Sequence, residues 1–137
     1  FFFKQKTAYE IVDCDWSSDV CSSDLVTPVS DRMGLRLAGP TLVRRRGRDL
    51  LSSAVAPGTV QVPPDGQPIL LLADAQTIGG YPRLAHVISV DLPLAAQLRP
   101  GDRVRFAEVT LEQAHWLWRQ QYQNLAILRQ GLAEKLQ

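Results

Sequence analysis

The chain has 137 residues, the length of one domain, and its 45% apolar and 21% charged residues exclude a disordered or fibrous protein. Its net charge of +1 gives no basis for a nucleic-acid surface or an acidic tail. The longest apolar run, Pro68 to Ala73, is six residues, far short of the ~18–20 that a membrane helix needs.

Residues 1–25 differ from the rest. They hold three of the four Phe, both Cys (Cys14 and Cys21), five acids and two bases. Residues 26–137 are left with 13 bases, 12 of them Arg, against nine acids, and with no cysteine. The first segment has no sustained helical or strand period and lacks the apolar stretch of a secretory signal. It also contains a near-repeat, Ser17-Ser18-Asp19-Val20-Cys21 then Ser22-Ser23-Asp24-Leu25. This string closely resembles the translated sequencing-adapter peptide that opens many reading frames assembled from environmental DNA. It is expected to be a non-native leader, with the native start missing. Cys14 and Cys21 are seven apart with no histidine cluster nearby, so neither a zinc site nor a CxxC redox pair is supported. With no signal in view, the expected compartment is the cytoplasm.

From residue 26 the pattern is that of short strands. Met33 to Leu37 alternates apolar and non-apolar positions, the period of a half-buried strand, and Gly39-Pro40 ends it. Thr41-Leu42-Val43 runs into Arg44-Arg45-Arg46-Gly47-Arg48-Asp49, which reads as a solvated hairpin tip rather than a phosphate-contacting patch. Gly58 to Pro63 predicts a strand closed by the turn Pro63-Pro64-Asp65-Gly66. Pro68 to Ala73 suits a strand buried on both faces. Ile78-Gly79-Gly80-Tyr81-Pro82 reads as a turn cluster, and Leu84 to Val90 as a strand. Asp91 is placed to N-cap a short helix with Pro93 in its first turn. Arg99-Pro100-Gly101-Asp102 turns the chain into a strand over Arg103 to Phe106.

The last segment, residues 110–137, is helical. Thr110 and Gln113 have capping-box spacing. Apolar residues then recur at 111, 114, 118, 122, 125, 128, 132 and 136, an amphipathic period. The helix is expected to pack on the sheet or on a partner subunit. Several short strands, Gly/Pro turns and one short internal helix predict a mainly β domain, a barrel or sandwich. Some six strands are few for a closed barrel, so missing sequence or a partner is expected to complete it.

No G-x-S-x-G, GxxxxGK[ST] or HExxH occurs. His86, in an apolar strand, reads as a structural core or edge residue because it lacks a group to orient it as a base. His115 reads as a surface residue. Polar side chains are dense around residues 68–73: Gln61, Asp65, Gln67, Asp74, Gln76, Thr77, Tyr81 and Arg83. Gly66, Gly79 and Gly80 are interleaved and allow close backbone approach. Amides and backbone N–H groups at a pocket mouth can hold a carboxylate, an amide or lactam carbonyl, or an oxyanion. The same residues serve equally as connections between strands, and their spacing names no reaction.

Four ordered segments carry a resemblance. They are Ser30-Asp31-Arg32-Met33-Gly34, residues Gly58 to Pro68, residues Leu72 to Arg83, and Leu98-Arg99-Pro100-Gly101-Asp102-Arg103-Val104. Together they resemble the carboxy-terminal half of the biotin-dependent carboxyltransferase family, which includes the 5-oxoprolinase C subunit and the allophanate hydrolase subunit 2-like proteins, over residues 26–112. The resemblance implies a partial cyclophilin-like β-barrel over residues 26–109, followed by the C-terminal helix. It also implies a subunit-B-like (allophanate hydrolase subunit 1-like) partner. The implied activity is ATP-dependent opening of the lactam of 5-oxoproline to glutamate, or carboxyl transfer from carboxybiotin to a urea-like amide. The alternative is a non-catalytic regulatory module that captures a subunit-B-like kinase inhibitor.

The resemblance implies substrate-contacting roles for Gln61, Gln67, Gln76 and Thr77 in polarising and orienting the amide. Gly79, Gly80 and Tyr81 would shape the loop, and Arg83 would bind an anionic group. Two departures stand out. The family usually has Thr-Gly-Gly-Tyr-Pro-Lys, whereas this chain has Ile78-Gly79-Gly80-Tyr81-Pro82-Arg83. The exchange removes a hydroxyl at 78 and replaces a mobile point charge at 83 by a fixed fork. The family's amino-terminal half is also absent, so residues 26–137 alone are expected to be inactive. No metal is expected, and no phosphate-binding loop marks an ATP site.

Overall fold

The computed structural model describes residues 2–3, 24–43 and 51–135. The Arg44-to-Asp49 tip, Cys14, Cys21, Leu136 and most of the expected leader lie outside these residues. The rest is a predominantly antiparallel β structure with two helices. Its centre is formed by β3 (Gly34–Ala38), β5 (Thr59–Gln61), β6 (Ile69–Leu71) and β8 (Arg83–His86). They lie side by side in the order β8-β5-β6-β3. On one flank, β3 pairs with β2 (Asp24–Val26), which pairs with β9 (Arg103–Val104). On the other, β8 pairs with β1 (Phe2–Phe3), which runs parallel to β10 (Glu108–Val109). The eight-stranded sheet thus ends on β10 and β9 and is not closed into a barrel.

Strand period explains the core. In β3, Leu35 and Leu37 are buried while Arg36 between them is exposed, the alternation expected of a pleated strand. Val60 of β5, Leu70 of β6 and Ala85 of β8 continue the same apolar face, joined by Val26, Val87 and Ala95. Leu72, Leu84, Leu92, Leu98, Val104 and Phe106 pack around it. Burying these side chains contributes ~1.5–3 kcal/mol for each large aliphatic one.

Two of the predicted turns hold in detail. Gly66 has φ +75° and closes the Pro63-Pro64-Asp65-Gly66 turn by donating its N–H to Pro63 O at 3.0 Å. A Cβ there would lie 2.5 Å from Thr41 Cγ2 and 2.7 Å from Leu42 O, so glycine is required by both conformation and space. Gly101 has φ +95° in the turn before β9, where Asp102 Oδ2 accepts the Arg99 N–H at 2.7 Å. The segment over 78–80 differs from expectation. Ile78–Gly79 forms a short strand, β7, paired with β4 (Ser53–Ala54) in a separate two-stranded ribbon. A stretch read as punctuation is therefore a covering element.

Helix α1 (Leu92–Ala95) starts at Asp91, but the Asp91 side chain makes no capping hydrogen bond. Its Oδ2 is buried without a partner, and burial raises its pKa. Helix α2 (Leu111–Lys135) opens on the predicted capping box. Thr110 Oγ1 accepts the Gln113 N–H at 3.2 Å and Gln113 Oε1 accepts the Thr110 N–H at 2.8 Å. Its apolar row does not pack on the sheet as expected. No residue of α2 is buried, and Leu111, Trp118, Leu125 and Leu132 are all about half exposed. Trp118 and Tyr122 instead stack on each other, with ring centroids 5.9 Å apart. Among the described residues no helix is long and apolar enough to cross a membrane.

Thr110→Ala removes the cap and should cost about 1 kcal/mol of helix stability. Because α2 is not buried against the sheet, the loss should appear as reduced helical circular dichroism, with the cooperative unfolding of the sheet unchanged.

Strand β2 crosses the expected junction between residues 25 and 26. Asp24 and Leu25 are in register with Val104 and Arg103, and Val26 with Leu37. The Asp24 carboxylate lies against Gly39, where a Cβ would collide with it. Burial raises its pKa from an ordinary 3.8 to about 6. The folded state therefore favours the protonated form. This contribution is fully present below pH ~4 and is lost as pH rises through about 6. Stability should fall across that window, and Asp24→Asn should flatten the slope. Allowing for partial exposure, the variant should gain on the order of 1 kcal/mol at pH 7–8 in chemical denaturation.

Candidate functional site

The face of the central strands opposite the core is polar. Arg36 of β3, Thr59 and Gln61 of β5, and Arg83 and His86 of β8 project from it, with Ile69 and Leu71 of β6 between them. In register, Thr59 stands opposite His86 and Gln61 opposite Arg83, with a bulge between Val60 and Gln61. The β4–β7 ribbon lies over this face. Val55 donates to Thr77 O at 2.9 Å, and Arg83 Nη1 donates to Ala54 O at 3.3 Å, which ties the ribbon to the sheet.

Gln61 is the centre of the arrangement. It is 1% exposed, and its Nε2 is buried with no hydrogen-bond partner. Leaving such a donor unsatisfied costs ~1–3 kcal/mol. Gly79 is the reason it fits. A Cβ at 79 would lie 2.5 Å from Gln61 Nε2, so a side chain there would force the amide to shift.

Gln61 borders a cavity of about 400 Å³ with Asp31, Met33, Gly34, Arg36, Gln76 and Tyr81, and with Pro63, Pro64 and Asp65 at its rim. Asp31 is held at the mouth by its own turn, its Oδ1 accepting the Met33 and Gly34 N–H groups at 2.8 and 3.2 Å. The Arg32–Asp74 ion pair at 3.4 Å and the Asp74 N–H to Arg32 O bond at 3.3 Å fasten that turn to the end of β6.

The structure thus brings Gln61, Gln76 and Tyr81 together, with Gly79 above them. It separates the other expected residues. Gln67 spends its amide on the fold: Oε1 accepts the Gly39 N–H at 3.0 Å, and Nε2 donates to Thr41 Oγ1 at 3.4 Å. Thr77 is exposed and contributes its carbonyl to the ribbon, and Gly80 is an exposed linker. Arg83 faces a different cavity, of about 240 Å³, with Thr59, Ala85, His86 and residues Ala54 to Ala56. The guanidinium bordering the Gln61 cavity is that of Arg36, which sequence reasoning missed. Its signal was its outward position between the two buried leucines of β3. Asp31 was also missed, although it sits inside the first motif of the resemblance.

Electrostatics divide the two cavities. Among the described residues, Asp31, Asp65 and Arg36 line the larger, and Arg83 is the charged side chain lining the smaller. Burial lowers the His86 pKa, which keeps the imidazole neutral. Among the described residues no group of three or more His, Cys, Asp or Glu side chains is placed to hold a metal ion.

A family model for the carboxyltransferase domain, subdomain A and B, matches residues 10–108. The chain belongs to this family. It is 42% identical over 133 residues to the 5-oxoprolinase C subunit of Haemophilus influenzae, an alignment covering 97% of this chain and 40% of that protein. It is 51% identical over 85 residues to the 5-oxoprolinase C subunit of Escherichia coli, covering 62% of this chain and 27% of that protein. The chain therefore spans less than half the length of these relatives. The fold is also that of a portion of the urea amidolyase of K. lactis, with a TM-score of 0.69 and 24% identity over 74% of this chain and 7% of that one. The family match ends before α2, so the exposed helix lies beyond the matched domain.

The Gln61–Gly79 contact gives a direct prediction. Gly79→Ala should displace the Gln61 amide and destabilise the chain by about 1 kcal/mol, the low end of the overpacking range. In combination with Gln61→Ala the penalty should shrink, since the colliding amide is gone. A double-mutant cycle in denaturant should return a coupling of at least ~0.5 kcal/mol, against near zero for independent sites.

Proposed function

We propose that this chain is a portion of a 5-oxoprolinase C subunit, acting in the ATP-dependent opening of the 5-oxoproline lactam to glutamate, and that the Gln61 cavity receives the lactam. The observation that carries this reading is the buried, unpartnered Gln61 Nε2 at the edge of a polar cavity, in a chain related to 5-oxoprolinase C subunits. A ligand carbonyl supplies the acceptor that this donor lacks. Gln76 and Tyr81 can bond the ring amide, and the Asp31 and Asp65 carboxylates can accept its N–H. Polarising a planar amide from a fixed, desolvated donor is electrostatic assistance of the oxyanion-hole type.

A subunit-B-like partner and a cyclophilin-like closure of the barrel belong to the same proposal, supported by sheet edges that β9 and β10 leave open. Related carboxyl transfer from carboxybiotin is accommodated by the same chemistry. The cofactor would supply the carboxylate, and its ureido carbonyl is an acceptor of the kind Gln61 can serve. Among the described residues no phosphate-binding loop marks an ATP site. No ATP step is assigned to this chain.

The test is titration of the full chain with 2-pyrrolidone, the lactam without its carboxylate, followed by NMR of the Gln61 side-chain amide. Saturable shifts of Gln61, Gln76 and Tyr81 are expected, with none from pyrrolidine, which lacks the carbonyl. Gln61→Leu should weaken binding about tenfold, the value of one buried hydrogen bond. Saturable binding that Gln61→Leu leaves unchanged, or no binding, would reject the reading. A chain that ignores the lactam yet captures a subunit-B-like protein would point to the regulatory alternative.

A further inference from the structure

Arg36 borders the Gln61 cavity, and the lactam reading gives it no role. It stands opposite Ile69 of β6, and Ile69 stands opposite Gln61 of β5. Residues directly opposite in an antiparallel pair share a face, so Arg36, Ile69 and Gln61 form one row across three neighbouring strands. With strands ~4.8 Å apart, the outer two side chains rise from backbones ~10 Å apart. Ile69 lies between them, and both it and Leu71 line the cavity as apolar floor.

The backbone at 36 is held firmly. Ser30 Oγ accepts the Arg36 N–H at 2.9 Å and donates to the Arg36 carbonyl at 3.3 Å, and the Thr27 N–H donates to that carbonyl at 2.9 Å. The guanidinium at the end of this anchored residue makes no hydrogen bond or ion pair among the described residues. The two carboxylates bordering the same cavity are committed to their own turns. Asp31 Oδ1 accepts the Met33 and Gly34 N–H groups, and Asp65 Oδ1 accepts the Gln67 N–H at 3.0 Å. Among the described residues lining the cavity, Arg36 is the one cation. Beside two like-charged acids, an anionic ligand group has a favourable place only against that guanidinium. A planar fork with its donors unspent matches a carboxylate in two parallel bonds.

We propose that Arg36 is the specificity residue of this cavity and selects a lactam that carries a carboxylate on its ring. The ligand carbonyl lies at Gln61, the ring over Ile69, and the carboxylate on the Arg36 guanidinium. This rests on the lactam reading and adds to it a second point of attachment. The anionic group expected at Arg83 is thereby assigned to a different strand.

The test is calorimetric titration of the full chain at fixed pH and ionic strength. The probes are 5-oxoproline, its carboxamide as neutral isostere, and 2-pyrrolidone. The carboxylate ligand should bind tenfold or more tighter than either neutral lactam, as expected for one charge-assisted bond. Arg36→Gln should abolish that preference and leave the neutral lactams unchanged, and Arg36→Lys, which keeps the charge without the fork, should restore part of it. Arg119→Gln, the same charge change on the exposed helix α2, should leave the preference intact. Gln61→Leu should weaken all three ligands alike.

Equal affinity for 5-oxoproline and its carboxamide would overturn the role of Arg36 while leaving the lactam reading in place, a comparison that needs no variant. A preference that survives in folded Arg36→Gln would also overturn it. So would an equal loss in Arg119→Gln, which would reduce the effect to net charge. Binding of none of the three would reject the lactam reading and this proposal with it.

Discussion

A glutamine amide buried under a glycine organises the functional face of this molecule. Gln61 projects from the face of β5 that a strand of this kind would ordinarily give to solvent. It is nonetheless almost completely covered, because the β4–β7 ribbon crosses over it at Gly79. A polar side chain in that position is costly unless it is paired, and its nitrogen is not. The apolar layer on the other side of the sheet offsets that cost. Val60, Leu70, Leu35 and Leu37 form a continuous face that fixes the strands in register. A one-residue slip would exchange the two faces entirely.

Much of the scaffold is legible in the sequence because it depends on local rules. The alternation of Leu35, Arg36 and Leu37, the Pro-Asp-Gly turn at Gly66 and the reciprocal Thr110–Gln113 cap are each decided within a few residues. What cannot be read this way depends on contacts distant in the chain. Nothing near Gly79 announces that it will lie on Gln61, 18 positions earlier, so its stretch reads as a turn. Gln67 and Gln61 are alike as sequence: both are amides beside a proline-rich turn. Only the fold separates them, pinning Gln67 to Gly39 and Thr41 while leaving Gln61 unpartnered. Arg36 shows the converse. Its role on the cavity wall follows from outward alternation in β3, but only once β6 and β5 are known to lie beside it.

The helices show where amphipathic pattern stops being informative. The row Leu111, Trp118, Leu125 and Leu132 recurs every seven residues, the spacing of a buried seam. Periodicity states that such a row has one apolar side, not what that side touches. In this structure the helix extends from its cap with that side uncovered, and its own Trp118–Tyr122 stack is the aromatic pairing it makes. The short helix α1 makes the opposite point. Asp91 occupies the N-cap position that its residue type predicts, yet tertiary burial takes its carboxylate away from the capping bond.

The two departures from the family pattern separate once they are placed in three dimensions. Ile78 stands where a threonine is usual, but it is 64% exposed on the outer side of the ribbon and borders neither cavity. The lost hydroxyl therefore costs the Gln61 cavity no wall group, and a β-branched side chain suits the short strand it occupies. Arg83 is different. Its guanidinium both reaches Ala54 O and carries the charge of the smaller cavity. A lysine there would keep the charge as a mobile point, whereas the planar fork presents its donors in a fixed geometry. The exchange at 83 thus bears on how firmly the cover is held, while the exchange at 78 does not.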